Sequence, residues 1–338
     1  MSTTLAIKYR PTTFEDVVGQ SSTKAILENQ LVTNTIKNAY LFCGSAGTGK
    51  TTCARIFANE INGYKGIPIE IDAASHSSVN DVREIVSQAQ TKSIDSEYKI
   101  FIIDEAHSIS LTGWQAFLKL LEEPPAKTIF IFATTDPQKI PKTILSRVQR
   151  YNFQRIPNKG IYDRLVGIID KENDGITYEK EALSYITTLA NGGLRDAITM
   201  LDKCISHNKH LTLDSVVEAL NKTNPQTMVE LCEALLGGEK KDIIEIIEEI
   251  HNSGADLKVF IKEFTDFLLD VCKYILTNSF EYTMYLSESN KNWLRSISSS
   301  FDLITSFLDK MTKLNSDIRY SDNPKYVVEA TLILLGGE

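Results

Sequence analysis

The sequence predicts an α/β core built on a parallel sheet, followed by a small helical region and then an all-α bundle. Three observations point there: short apolar runs spaced through the first half, the loss of strand signals after about Pro157, and amphipathic helix patterns in the last third. Tyr40–Cys43, Ile67–Ile71, Ile100–Ile103 and Ile129–Ala133 read as buried strands, and the segments between them carry helical spacing. Strands apolar on both faces and separated by helices imply a parallel sheet. Pro124-Pro125 ends the helix that closes with Leu121-Glu122-Glu123. Residues from Gly160 to about Asn221 read as a helical unit. Beyond it, Ile243, Ile246, Ile247 and Ile250 form one apolar stripe. Leu257, Phe260, Ile261, Phe264, Phe267, Leu268 and Val271 form the next, behind Asp256 as its cap, and Phe301, Ile304, Leu308 and Met311 form a third.

A length of 338 residues suggests two or three domains. No apolar run reaches the roughly 20 residues of a membrane helix, and Met1-Ser2-Thr3-Thr4 lacks the basic and apolar blocks of a signal peptide. A cytoplasmic protein without membrane partners is the expectation. The formal net charge of -8 argues against a chain coated in nucleic acid, although a small basic surface is compatible with it. Cys43, Cys53, Cys204, Cys232 and Cys272 show no C-x-x-C pair, so they read as reduced, mostly buried thiols, with neither zinc nor disulfides expected.

Two motifs carry chemistry. Gly44-Ser45-Ala46-Gly47-Thr48-Gly49-Lys50-Thr51 fits G-x-x-x-x-G-K-[ST] between a strand and a helix. Such a loop wraps a phosphate chain with its backbone, and the helix that follows, which includes Thr52, turns its first N–H groups toward the anion. Lys50 would reach the β- and γ-phosphates of ATP, and the Thr51 hydroxyl would bind Mg²⁺. The second motif is Ile100-Phe101-Ile102-Ile103-Asp104-Glu105-Ala106-His107. It places two carboxylates at the carboxyl edge of a parallel sheet, where ligands bind. Asp104 would hold the Mg²⁺ shell, and Glu105 would orient the attacking water.

Further segments carry a resemblance. Lys8-Tyr9-Arg10-Pro11 through Val17-Val18-Gly19-Gln20, Ile71-Asp72-Ala73-Ala74-Ser75, Leu121–Pro125, Ala133-Thr134-Thr135-Asp136-Pro137-Gln138-Lys139, Ile144-Leu145-Ser146-Arg147 and Gly192-Gly193-Leu194-Arg195-Asp196-Ala197 follow one another in order. The series resembles clamp-loader AAA+ ATPases, and most closely the gamma/tau subunits of bacterial DNA polymerase III. That resemblance implies a nucleotide-binding core over residues 1–157, a helical lid over 158–221 and a helical collar that oligomerises over 222–338. It implies that Arg10, Pro11, Val17 and Val18 frame the adenine, that Thr135 senses the γ-phosphate and that Arg195 on the lid contacts it. Arg147 matches the arginine finger that serves the neighbouring subunit, although Val148 stands where the family's motif has Cys. Ser77, Arg83 and Lys119 match backbone contacts to DNA.

The resemblance further implies ATP-driven loading of a sliding clamp onto primer-template DNA. The partners would be copies of this chain and subunits of the delta and delta-prime kind. Besides Val148, the chain departs from the family in that only Asn59–Gly66 stands where a four-cysteine zinc module is usual and His76-Ser77-Ser78 where the segment is usually basic, and a compact form without a tau-like tail is the expectation. Two alternatives are a different oligomeric DNA motor, such as a branch-migration ATPase, and a loader subunit that binds nucleotide without turnover. The intact Lys50, Asp104 and Glu105 speak against the second.

Overall fold

The computed structural model describes residues 3–76, 79–172, 174–280, 283, 285–286 and 290–336. The chain begins with helices α1 (Leu5–Lys8) and α2 (Ser21–Val32), strand β1 (Ala39–Cys43), α3 (Lys50–Ile61), β2 (Ile69–Asp72) and α4 (Val79–Ala89). Next come β3 (Lys99–Asp104), α5 (Leu111–Glu122), β4 (Thr128–Thr134), α6 (Lys142–Leu145), β5 (Gln149–Asn152) and α7 (Asn158–Glu172). The remainder runs β6 (Thr177–Tyr178), α8 (Lys180–Leu189), α9 (Leu194–His207), β7 (His210–Leu211), α10 (Leu213–Leu220), α11 (Pro225–Gly237) and α12 (Lys240–Asn252). It closes with α13 (Leu257–Thr277), α14 (Lys291–Ser296), α15 (Phe301–Asp317) and α16 (Pro324–Leu335). Two compact units result. The first is Met1–Asp174 with Ala190–Asp202, and the second is Gly175–Leu189 with Lys203–Glu338, so the boundary runs through α9.

In the first unit the sheet order is β2-β3-β4-β1-β5, with every pairing parallel. Side chains alternate across a strand, and here both faces are covered. Leu41, Phe101, Ile103, Phe130 and Phe132 pack with Trp114 and Phe117 of α5 and with Val82 and Ile85 of α4. Tyr40, Phe42, Ile100, Ile102, Ile129 and Ile131 pack with Leu27 of α2 and with Cys53, Ile56 and Phe57 of α3. Two-sided burial is why β1, β3 and β4 read as unbroken apolar runs. α5 starts where the Ser110 side chain accepts a hydrogen bond from the Gly113 N–H, and it stops one residue before Glu123-Pro124-Pro125.

The edges differ from expectation. β2 starts at Ile69 rather than Ile67, its residues are at best half-buried, and Ile67 is 92% exposed. An edge strand has one neighbour and a face open to solvent, so its burial is partial. The opposite edge, β5, has the sequence Gln-Arg-Tyr-Asn, with only Tyr151 buried. Its polarity hid it from an apolar-run reading. The strand signal also does not end at Pro157: β6 and β7 form a two-stranded parallel pair in the second unit. Two-residue strands leave no periodicity to read.

The second unit is otherwise helical. Asp256 caps α13 by accepting from the Lys258 N–H, and Phe260, Phe264 and Phe267 stack along that helix with ring centroids 6.0 Å apart at each step. α13 packs against α15 and α16, on which Ile304, Phe307 and Met311, and Val328 and Leu332, are buried. Along α15 the buried position is Phe307 rather than the expected Leu308, which is half-buried. No described helix is long and apolar enough to cross a membrane. All five cysteines are buried free thiols.

A candidate nucleotide site at the carboxyl edge of the sheet

A cavity of about 680 Å³ opens in the first unit, lined by the phosphate-type loop, the ends of β2 and β3, the N-terminal segment and the start of α9. Its size falls within the roughly 300–1,000 Å³ typical of small-molecule sites. Arg10, Pro11, Val17 and Val18 line it, as do Ala46, Gly47, Thr48, Gly49, Lys50, Thr51, Thr52, Asp104, Glu105 and Arg195. Gly44 and Ser45 contribute otherwise. Their carbonyls accept hydrogen bonds from Lys50 Nζ, each at 2.9 Å, which fixes the lysine across the loop. Lys50 is only 6% exposed. Burial lowers its pKa, and the charges of Glu105 and Asp104 oppose that shift.

Close backbone approach shapes the loop. Gly47 has φ +70, and a Cβ there would lie 3.0 Å from the Cα of Gly193. The Gly192-Gly193 turn therefore sits directly against the loop, and α9 starts one residue later. This contact brings Arg195 to the cavity wall. The N-terminal wall is held by α7: Lys8 Nζ and the Tyr9 hydroxyl both donate to Glu172 Oε1, at 2.6 and 2.5 Å. Arg164 Nη2 donates to the Tyr9 carbonyl at 2.9 Å. Burial and the Glu172 carboxylate push the Tyr9 hydroxyl up to about 12.

The acidic edge has a defined geometry. The Thr51 hydroxyl donates to Asp104 Oδ2 at 2.6 Å, and the Glu105 N–H donates to Asp104 Oδ1 at 2.9 Å. A hydroxyl in contact with a carboxylate is a pair of hard oxygen donors, as Mg²⁺ requires, so these residues fit the Mg²⁺ that a P-loop implies. Glu105 has φ 48, in the left-handed region, a costly conformation for a residue with a Cβ and one that concentrates at functional sites. Thr135 Oγ1 donates to Glu105 Oε2 at 3.2 Å, so the expected sensor threonine meets the expected catalytic glutamate. Asp72 pairs in register with Asp104 and also lines the cavity, but its oxygens accept from Ala74 N and Ser75 Oγ, at 2.9 and 3.0 Å.

Other expected residues stand apart. Arg147 is not among the residues that line this cavity. Its guanidinium donates to Glu122 Oε1 and to the Thr143 carbonyl, both at 2.7 Å. Arg83 on α4 and Lys119 on α5 are exposed. Ser77 lies outside the described residues. Among the described residues no group of three or more His, Cys, Asp or Glu side chains could hold a metal ion.

The motif reading missed several lining residues: Ala6, Tyr9, Arg55, Glu70, Ile156, Leu194 and Ile198. Arg55 forks onto Glu70 at 2.8 and 2.6 Å. Tyr9 and Leu194 lie inside quoted motif segments but were assigned no role, a signal that was available. Arg55, Glu70, Ile156 and Ile198 carried no pattern of their own.

A parallel α/β sheet with a phosphate loop, an acidic strand end and an arginine-bearing helix at one cavity defines the P-loop AAA+ class. Comparison with known proteins narrows this. Residues 67–157 match the family of the DNA polymerase III delta subunit, residues 160–210 the ATPase lid domain of DNA polymerase III clamp loader subunits, and residues 211–337 domain III of the gamma and tau subunits. The tau subunit of Bacillus subtilis is 32% identical over 96% of this chain, and the gamma/tau subunit of Mycoplasma pneumoniae is 33% identical over 95%. The Escherichia coli tau subunit is 34% identical over 77%. The chain spans 62%, 50% and 43% of the lengths of these three relatives. The Thermotoga maritima branch-migration motor RuvB superimposes with a TM-score of 0.53 over 65% of this chain and 78% of its own, at 17% identity, which is a likeness of fold alone. The chain belongs to the gamma/tau family of DNA polymerase III clamp-loader subunits.

Proposed function

We propose that this chain is the ATP-hydrolysing motor subunit of a clamp loader, working in copies of itself and with delta- and delta-prime-like subunits to place a sliding clamp on primer-template DNA. The observation that carries the proposal is the convergence of Lys50, Thr51, Asp104, Glu105 and Arg195 on one cavity, in a chain of this family. Lys50 keeps an N–H for phosphate beyond the two given to the loop carbonyls, and the loop and the start of α3 supply backbone donors to the anion. Bound at Thr51 and Asp104, Mg²⁺ would neutralise charge on the β- and γ-phosphates. Glu105 orients and polarises the attacking water. Thr135 and Arg195 read the γ-phosphate. Arg10, Pro11, Val17 and Val18 hold the base.

The functional division follows the family: a core over 1–157, a lid over 158–221 and an oligomerising collar over 222–338. Arg147 acts as an arginine finger in the site of the adjacent subunit, which accords with its absence from the cavity wall of its own chain. Arg83 and Lys119, with Ser77, contact DNA phosphates, which suits a loader that acts without regard to sequence. ATP and ADP forms must bind clamp and DNA with different affinities for the cycle to run in one direction. The test is steady-state ATPase of the assembled complex with and without clamp and primed DNA. Stimulation that requires both supports clamp loading. ATPase indifferent to the clamp but raised by branched duplex DNA would favour a branch-migration motor.

A further inference from the structure

One side chain beside the acidic strand end has no role in the reading above. His107 sits in the single 3₁₀ turn Ala106–Ser108 that follows Glu105. Its Nδ1 lies 3.3 Å from Glu105 Oε2 and 3.2 Å from Thr134 Oγ1. Thr135 Oγ1 donates to the same Oε2 at 3.2 Å. Two separate elements, the 3₁₀ turn and the end of β4, therefore converge on one oxygen of one carboxylate. No hydrogen bond to Glu105 Oε1 is made among the described residues. The histidine side chain is 20% exposed, and Thr134 beside it is fully buried.

The chemistry of these atoms selects a tautomer. An ionised carboxylate only accepts hydrogen bonds. A bare Nδ1 would set its lone pair against Oε2, whereas an Nδ1 that carries hydrogen would donate to it. Thr134 Oγ1 already accepts from the Asp136 N–H at 3.1 Å and has a second lone pair for the same imidazole hydrogen. The 3.3 Å approach of His107 Nδ1 to Glu105 Oε2 is thus attractive in the Nδ1–H form, while the hydrogen bond of the same nitrogen to Thr134 Oγ1 fixes the ring.

We propose that His107 is a positioning residue for Glu105: through Nδ1–H it holds Oε2 when the single Thr135 hydroxyl hydrogen turns to the γ-phosphate, and so leaves Oε1 to the attacking water. The proposal rests on the assignment of Glu105 as the water-orienting group. His107 touches neither substrate nor metal and moves no proton in the reaction. It removes a freedom that the strained, left-handed Glu105 would otherwise have. Misplacement of a catalytic group by about 1 Å can cost on the order of 100-fold in rate, so its loss falls on kcat and spares nucleotide affinity.

The experiment uses the full chain in its assembled complex, with kcat, KM and ATP affinity measured for His107→Ala, His107→Asn, His107→Gln and Glu105→Gln. Asparagine places an amide N–H near the position of Nδ1, and glutamine places one near Nε2. The expected result is a kcat lowered about 10- to 100-fold in His107→Ala and His107→Gln, and largely restored in His107→Asn, with KM and affinity unchanged in all three. Equal activity of the Asn and Gln variants, whether high or low, would overturn the proposal. A readout independent of turnover is the ¹⁵N spectrum of the histidine-labelled chain, with the His107 signals assigned by their loss in His107→Asn. The Nδ1–H tautomer is expected, and an Nε2–H tautomer would overturn the proposal even if a variant failed to fold. Glu105→Gln separates the two layers. If it hydrolyses ATP normally, the assignment of Glu105 fails and the positioning role falls with it. If it is inactive while the histidine variants match wild type, only the positioning role fails.

Discussion

Both units bury charge, and they do so in opposite ways. In the first, Lys50 is 6% exposed and lies on the wall of a large cavity beside Asp104 and Glu105. In the second, Glu263 and Asp270 on α13 are 4% and 1% exposed, yet they are closed off by their own neighbours. Glu263 accepts from Lys222 Nζ at 2.6 Å and from the Thr223 N–H at 3.3 Å. Asp270 accepts from Lys273 Nζ at 3.0 Å and from the Tyr285 N–H at 2.9 Å. A buried charge must be paired. When the fold itself supplies the partners, the group is structural. When donors and acceptors remain facing a cavity, a ligand is the missing partner. Burial of charge alone does not separate these cases; the cavity does.

The largest effect that bears on this contrast belongs to Arg147, an arginine whose partner in its own chain is a half-exposed glutamate. Arginine fingers contribute about 10³- to 10⁵-fold to phosphoryl transfer. Arg147→Ala should leave ATP binding by the isolated chain intact and cut hydrolysis in the assembled complex by a factor of that order. In mixed complexes the failing site should be the one next to the mutant subunit. Failure of the mutant's own site, with normal turnover next door, would place Arg147 in cis.

Next in size is the structural charge. Glu263→Ala removes the acceptor of Lys222, which is 30% exposed and can turn to water, and should lower stability by about 1.5–3 kcal/mol, the usual worth of a hydrogen bond to a charged group, seen as a lower urea midpoint for the second unit. ATP affinity of the folded fraction should not change. A lost affinity with normal stability would reverse the roles assigned to the two units. Gly47→Ala forces a Cβ into a left-handed position, at about 1–2 kcal/mol, and drives it against Gly193. Isothermal titration should show weaker ATP binding by roughly tenfold, since about 1.4 kcal/mol is one decade. An unchanged affinity would mean that the approach of the Gly192-Gly193 turn to the loop does not shape the site. The smallest effect concerns Arg83 and Lys119: each alanine variant should reduce the salt dependence of DNA binding by about one phosphate contact. An unchanged slope in both would move the DNA path elsewhere.

How legible each unit was in the sequence follows from the same contrast. The phosphate loop and Asp104-Glu105 could be read because their chemistry fixes residue type and spacing together. β1, β3 and β4 could be read because burial on both faces keeps polar side chains such as Lys99, Asp104, Thr128 and Thr134 to the strand ends. β5 was hidden because an edge strand tolerates Gln149, Arg150 and Asn152, and β6 and β7 because two residues carry no period. In α15 Ile304 and Met311 are inward as expected, and the difference lies at one position, where Phe307 rather than Leu308 is buried. Among site residues the motif members Lys50, Thr51, Asp104, Glu105 and Arg195 meet at one cavity. Arg55 and Glu70 escaped because their place on its wall comes from the register of β2 beside β3 and the adjacent helix α3, which no local pattern encodes. His107 was in view inside its motif, but its contact with Glu105 depends on the left-handed turn between them.

The central claim is that this cavity binds ATP through Lys50 and hydrolyses it through Glu105. Its most direct test is a paired measurement of nucleotide affinity and single-turnover hydrolysis on Lys50→Ala and Glu105→Gln. The account predicts that Lys50→Ala loses productive binding, whereas Glu105→Gln binds ATP as wild type does and loses about 10²- to 10⁴-fold in hydrolysis, the range contributed by acid–base groups. Equal loss of affinity in both variants, or normal hydrolysis by Glu105→Gln, would contradict it.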